Sequence, residues 1–270
     1  MEGLGKVVFA NDNCYKGNLE NGRWYNAHGQ GKLIFADGDV FESQWKNGKM
    51  EGQGKQVVFA NGDCYEGNLQ NGRANGQGKC TFANGDVCEG QWKNDKMEGQ
   101  GKQVCANGDC YEGNIRNAKK HGAGTITFAN HRSYKEYKGQ FDHDLYHGKG
   151  TLEYANGNVY DGNWKNGKKK GTGRLAFSKH RLYKEYSGEF NNDKFEGAGT
   201  LSFINRDVYE GTFKNDKASG EGKLAFANGN VYQGNFKNGK MNGNGTDTMA
   251  DGTTMTRIVV PPKKRRKGRD

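Results

Sequence analysis

Short apolar segments alternate along this chain with glycine-containing polar steps. GKLIFA (31–36) is typical: Asp37-Gly38 follows it, then the return segment DVFESQWK (39–46), then Asn47-Gly48. Such segments are too short and too dense in Gly for helices. Asn and Gly accept the positive φ of a type I′ turn, so each step predicts a hairpin. One class of steps is Asp37-Gly38, Asn61-Gly62, Asn84-Gly85, Asn107-Gly108, Asn156-Gly157 and Asn228-Gly229. The other is Asn47-Gly48, Asn71-Gly72, Asn166-Gly167 and Asn238-Gly239. Two turns per pattern predict two strands per pattern and a continuous antiparallel meander.

The pattern repeats. Taking the residue before (E)G as the start, copies begin at Tyr15, Phe41, Tyr65, Cys88, Tyr111, Tyr137, Tyr160, Tyr186, Tyr209 and Tyr232. Their spacings are 26, 24, 23, 23, 26, 23, 26, 23 and 23, so the basic copy has 23 residues. Insertions fall in connections: around Trp24–His28, and in the similar segments NHRSYKEY (130–137) and KHRLYKEY (179–186). Strands lie about 4.8 Å apart, so each copy advances the sheet by roughly 10 Å, and the whole array spans on the order of 100 Å. Such a sheet twists, and each copy rests mainly on its neighbours. The expected fold is all-β: an elongated, twisted, single-layer antiparallel β-meander of stacked β-hairpins. Residues 1–14 read as a half copy and cap, 15–254 as the array, and 255–270 as a C-terminal segment ending in a basic tail.

Two residues after each start stands a Gly, as in Gly17, Gly67, Gly162 and Gly211, between two large residues of one strand face. The second large residue is Leu19, Trp45, Leu69, Trp92, Ile115, Phe141, Trp164, Phe190, Phe213 or Phe236. A ring can lie across a strand glycine and shield its backbone, so this ladder reads as core. In the second copy Ser43 replaces the Gly, which is expected to crowd that seat.

The unit Y-x-G-x-(W/F)-x-N-G-x-x-x-G-x-G-x-x-x-(F/Y)-x-N-G resembles the MORN repeat (membrane occupation and recognition nexus). Clean copies are YDGNWKNGKKKGTG (160–173) and YQGNFKNGKMNGNG (232–245), and the likeness extends over residues 3–254. Departures are Cys88 for the aromatic, Ser43 for Gly, and the long connections near 131 and 180. The resemblance implies a single antiparallel sheet of hairpins and non-catalytic roles: scaffolding, tethering at membranes or cytoskeleton, protein interaction, sometimes dimerisation. Some members join these repeats to a phosphoinositide kinase or a SET-domain methyltransferase. About 16 residues follow the last copy here, so no such domain is expected.

Composition agrees with a thin, wet fold. Gly contributes 44 of 270 residues and Pro only 2, which together with the absence of a Gly-X-Y period excludes collagen. Hydrophobic content of 32% is low for one globular core of this length, yet 11% aromatics argues against simple disorder. No charged leader followed by an apolar run opens the chain, and no apolar run reaches the ~18 residues of a membrane span. The six Cys form no CxxC, so a reducing compartment with free thiols is expected, cytoplasmic or nuclear rather than secreted. If Asn107-Gly108 were a two-residue turn, Cys105 would face Cys110 and a cross-strand disulfide could be drawn.

Catalytic signatures are missing: there is no HExxH, GxSxG or Walker loop. The Gly-x-Gly steps are strand glycines with no helix N-terminus behind them to hold a phosphate. His143 and His147 are four apart but lie in a loop, and neither a metal site nor a cofactor is expected.

The clearest signal is a basic row. Eight positions after each start lie Arg23, Lys49, Arg73, Lys96, Lys119, Lys168, Lys194, Lys217 and Lys240, broken only by Leu145 in the sixth copy. Lys120, Lys169 and Lys170 are expected to thicken it. Stacked turns would set these cations along one edge at about 10 Å steps, additive toward a polyanion. Edge solubility, which lysine commonly provides, is the competing reading. The tail PPKKRRKGRD (261–270) carries half of the formal net charge of +10. Its Lys263, Lys264, Arg265, Arg266 and Lys267 resemble a monopartite nuclear import signal, and its composition precludes a packed core.

The leading expectation is a non-enzymatic scaffold that holds a protein partner. The alternatives are a peripheral tether binding anionic phospholipid through the basic edge and tail, and a nuclear adaptor recognised by an import receptor. Nucleic acid is expected at most through the tail, and a homodimer stays open.

Overall fold

The computed structural model describes residues 2–259, with the side chains of 2, 53–56 and 259 outside the description. Among the described residues there are twenty-two strands and no helix. The chain forms two compact units, Met1–His131 with Gln140–Asp144, and Arg132–Gly139 with Leu145–Asp270. In the first unit the strands from Glu2–Val8 to Lys119–Thr127 pair antiparallel in chain order. The strands from Leu145–Tyr154 to Thr254–Val259 do the same in the second. The single-layer antiparallel meander is thus present within each unit.

One copy shows how the residues dictate this. Strand Cys64–Gln70 pairs with Arg73–Thr81 so that Tyr65 faces Cys80, Gly67 faces Gly78 and Leu69 faces Ala74. The second glycine of Gly-x-Gly is therefore the cross-strand partner of the glycine two after the start. Tyr65 lies over both: a Cβ added at Gly78 would overlap its hydroxyl, and one at Gly67 would strike the Gly78 backbone. A bulge between Gly67 and Leu69 lifts Asn68 out of register, and the Tyr65 hydroxyl donates to the Asn68 carbonyl at 3.1 Å. The same bond recurs from Tyr160 to Asn163 at 2.9 Å, from Tyr186 to Glu189 at 2.8 Å and from Tyr209 to Thr212 at 3.1 Å. Tyr thus supplies a flat ring for the glycine pair and a donor for the bulge. The expected ladder is the core: Tyr15, Tyr137, Tyr160, Tyr186 and Tyr232 are fully buried, and nearly all the second large residues are buried.

The departures from the pattern are compensated. Phe41 lacks the hydroxyl that elsewhere occupies the glycine seat, and Ser43 fills the vacated space at 0% exposure. The expected crowding is therefore relieved, although the Ser43 hydroxyl has no hydrogen-bond partner among the described residues. Cys88 has no ring, and Met97 lays its methyl group across Gly101 instead.

Only one of the two turn classes matches the type I′ expectation. Asn47-Gly48 has φ of 51° and 70°, and Asn71-Gly72, Asn166-Gly167 and Asn238-Gly239 follow it. At the other end the loops are longer. Gly62 N–H donates to Phe59 O and Phe59 N–H to Asp63 O, while only Gly62, at φ 90°, is left-handed. This is a type I turn closed by a left-handed Gly, a three-residue loop. The reason lies in the next copy: Asp63 Oδ1 accepts from Ala83 N at 2.9 Å, and Asp39, Asp86, Asp109 and Asp207 staple their following copies in the same way. The extra loop residue also shifts the register, so Cys110 faces Val104 rather than Cys105. The drawn disulfide is corrected accordingly, and the thiols that do oppose each other are Cys80 and Cys88. No disulfide joins any of the six cysteines, all of which lie among the described residues.

Candidate functional site

The two-residue turns carry the charge. Each expected row cation is the first residue of the strand leaving such a turn: Arg23, Lys49, Arg73, Lys96 and Lys119 in the first unit, Lys168, Lys194, Lys217 and Lys240 in the second. All nine are exposed.

A second row, missed from the sequence, lies opposite the first. Lys46 pairs across the turn with Lys49, Lys93 with Lys96 and Arg116 with Lys119. In the second unit Lys165 pairs with Lys168, Lys214 with Lys217 and Lys237 with Lys240. Like charges directly opposite one another destabilise a sheet. Trp164 and Lys169, the next pair inward, belong to the ring face, so alternation sends Lys165 and Lys168 to the other face. The signal that could have found this row is the (K/R)-N-x-K spelling of these turns.

Two expected members of the row leave it. Lys120 and Lys169 occupy the ring-face position that holds Met50, Met97 or Phe195 in other copies. Lys120 Nζ sits 5.5 Å over the Tyr111 ring, and Lys169 Nζ sits 5.3 Å over both Tyr154 and Tyr160. Burial pushes the Lys169 ammonium pKa down. Lys170 stays exposed beside Lys168. The candidate import residues Lys263, Lys264, Arg265, Arg266 and Lys267 lie outside the described residues.

Acidic residues at these turns serve the backbone. Asp95 Oδ1 accepts from Ala74 N, Asp193 from Lys169 N and Asp216 from Phe195 N, each in the preceding copy. The Arg73–Asp95 ion pair at 3.8 Å spans two exposed side chains and offsets little charge.

The sixth copy differs. Its turn reads Asp142-His143-Asp144-Leu145, with His143 and Asp144 at φ of 49° and 69°. His121, from the preceding copy, comes within 3.4 Å of Asp142 Oδ1. His121 and His143 line an open cleft of about 420 Å³ with Arg116, Asn117 and Lys119. A wider trough of about 800 Å³ lies in the second unit, over Gly162, Gly173, Gly188 and Gly199. It is walled by Asp161, Arg174 and Glu210, charges of both signs that select no one ligand.

Comparison with known proteins gives one family. The model of the MORN repeat matches residues 15–40, 41–64, 65–87, 88–110, 111–131, 137–159, 160–180, 186–208, 209–231 and 232–254. Each match begins at a start residue named above. A search of curated proteins finds no match. Among solved structures, the TCP10 domain of Danio rerio CPAP in complex with a peptide of Danio rerio STIL is 10% identical, with 95% of this chain and 100% of that chain covered and a TM-score of 0.29. The CPAP G-box domain is 13% identical over 96% of this chain and 100% of that chain, with a TM-score of 0.26. The SAS-4 TCP domain of Drosophila melanogaster is 10% identical over 95% and 90%, at 0.19. Scores this low carry no functional argument.

Proposed function

The chain belongs to the MORN-repeat family, and on that premise we propose that it is a non-enzymatic scaffold whose cationic turn edge holds an acidic protein partner. The family is in general non-enzymatic, and its repeats suit a scaffold for protein or lipid interaction. Among the described residues no helix is long and apolar enough to cross a membrane.

The observation that carries the proposal is the set of six like-charged pairs at the turns. Solubility calls for scattered charge and gives no reason to set Lys214 against Lys217 or Lys237 against Lys240. Repulsion within each pair is tolerated where an anionic partner relieves it. Rows at roughly 10 Å spacing, close to a Debye length of about 8 Å in physiological salt, act together on an extended anion and only weakly on a point charge. Anionic phospholipid is the competing occupant of the same edge.

The test compares wild type with a variant carrying Lys165→Gln, Lys168→Gln, Lys214→Gln, Lys217→Gln, Lys237→Gln and Lys240→Gln. Proteins retained from extract at physiological salt are identified, and both forms are sedimented with phosphatidylserine vesicles. The proposal predicts an acidic partner held by the wild type and lost from the variant, with no vesicle binding by either. Undiminished capture by the variant, or vesicle binding without any protein partner, refutes it.

A further inference from the structure

We propose that His121, Asp142 and His143 form a binding site for a divalent transition-metal ion, with zinc the best-suited ion. One ligand atom from each residue lies within 4.8 Å of the others. His121 Nδ1 is 3.4 Å from Asp142 Oδ1, about the separation of two ligands that each sit ~2.0–2.1 Å from a tetrahedral ion. His143 Nδ1 is 2.6 Å from the same oxygen, a hydrogen bond that opens when an ion enters between them.

The repeat explains why these residues meet. The residue ten after a start reaches the turn of the next copy: Glu98 Oε2 accepts from Asn117 N at 2.9 Å, and Glu196 Oε2 accepts from Asn215 N at 3.0 Å. His121 stands at that position, so the next turn residue, His143, is its expected neighbour.

Local sequence points the same way. Nine of the ten two-residue turns begin with Asn and only this one with His143. Every other such turn has Lys or Arg on at least one flank, whereas this one is flanked by Asp142 and Leu145. The one two-residue turn without a flanking cation of its own is where two imidazoles and a carboxylate converge. Two imidazole nitrogens and one carboxylate oxygen suit zinc and leave a fourth position open. Water or an acidic group from the cleft that His121 and His143 line with Arg116 and Lys119 completes the shell. The competing reading is a plain histidine–carboxylate hydrogen bond.

Zinc chloride titrated into the full chain, followed calorimetrically, separates the two. His143→Asn restores the residue of the other nine turns and so preserves the fold; His121→Ala removes the second imidazole, and His180→Ala is the control. One zinc per chain is expected, weakened at least about tenfold in both site variants and unchanged in the control. Cobalt should give the visible bands of a nitrogen–oxygen site without a thiolate charge-transfer band. Absence of zinc binding, wild-type affinity in either site variant, or a dominant thiolate band overturns the proposal.

Discussion

Tyr65 and Tyr186 hold the same place in their copies but sit in different cores. Tyr186 stacks on Phe195 with ring centroids 3.7 Å apart and 9° between planes, and meets Phe190 and Phe213 edge-on at 5.1 and 5.0 Å. The Phe195 position is Ala74 in the Tyr65 copy, and the Leu201 position is Cys80. What remains is a cavity of about 210 Å³ lined by Val57, Tyr65, Leu69, Ala74, Cys80 and Trp92 among others. Yet the glycine pair, the bulge and the tyrosine hydroxyl bond are the same in both copies. The backbone devices define the repeat, and the filling beneath the ring sets how well each copy is packed.

Breaking the better-packed copy should give the largest effect. Phe195→Ala removes the stacked ring and is expected to cost about 3–5 kcal/mol, while Ala74→Met, which partly fills the cavity under Tyr65, should stabilise by about 0.5–2 kcal/mol. Denaturant unfolding measures both; equal and small effects would erase the distinction between the copies. The second copy offers an intermediate case. Phe41→Tyr alone drives a hydroxyl into Ser43 and should cost about 1–3 kcal/mol, and adding Ser43→Gly should restore stability. Additive rather than compensating changes would show that the two residues are not exchanging one volume.

A smaller contrast concerns alkali. Burial pushes the Tyr65 phenol up to about 12 and that of Tyr186 higher still, against about 10 in the unfolded chain. The folded state therefore keeps these protons longer. Its tyrosine-linked stability is complete below about pH 10 and is lost as pH rises through the folded values. Fluorescence-monitored unfolding between pH 9 and pH 12 should show stability falling only in that alkaline range, and flat stability there would contradict the burial of the ladder.

The spacing near 23 made the copies legible, because a strand–turn–strand unit stacked on itself must repeat its rings and glycines. It did not distinguish Asn61-Gly62 from Asn71-Gly72. Both dipeptides tolerate left-handed backbone, and the choice is made by Asp63 reaching Ala83 one copy away. The same missing residue of register hid the true partner of Cys110. Along the edge, Lys49 was visible as one of a row, but its pairing with Lys46 needed the register. Lys169 looked like its neighbours Lys168 and Lys170, and only alternation within the strand sends it to the rings. His121 and His143 are separated by a whole hairpin, so no local motif joins them.

The central claim is that the turn edge retains repelling cations because an anionic partner uses them. Its most direct measurement takes one member from each pair, Lys46→Gln, Lys93→Gln, Arg116→Gln, Lys165→Gln, Lys214→Gln and Lys237→Gln. Thermal midpoint and retention on immobilised poly-glutamate at physiological salt are then recorded for the same preparation. The account predicts that the midpoint rises while retention falls; a midpoint that drops, with retention unchanged, would contradict it.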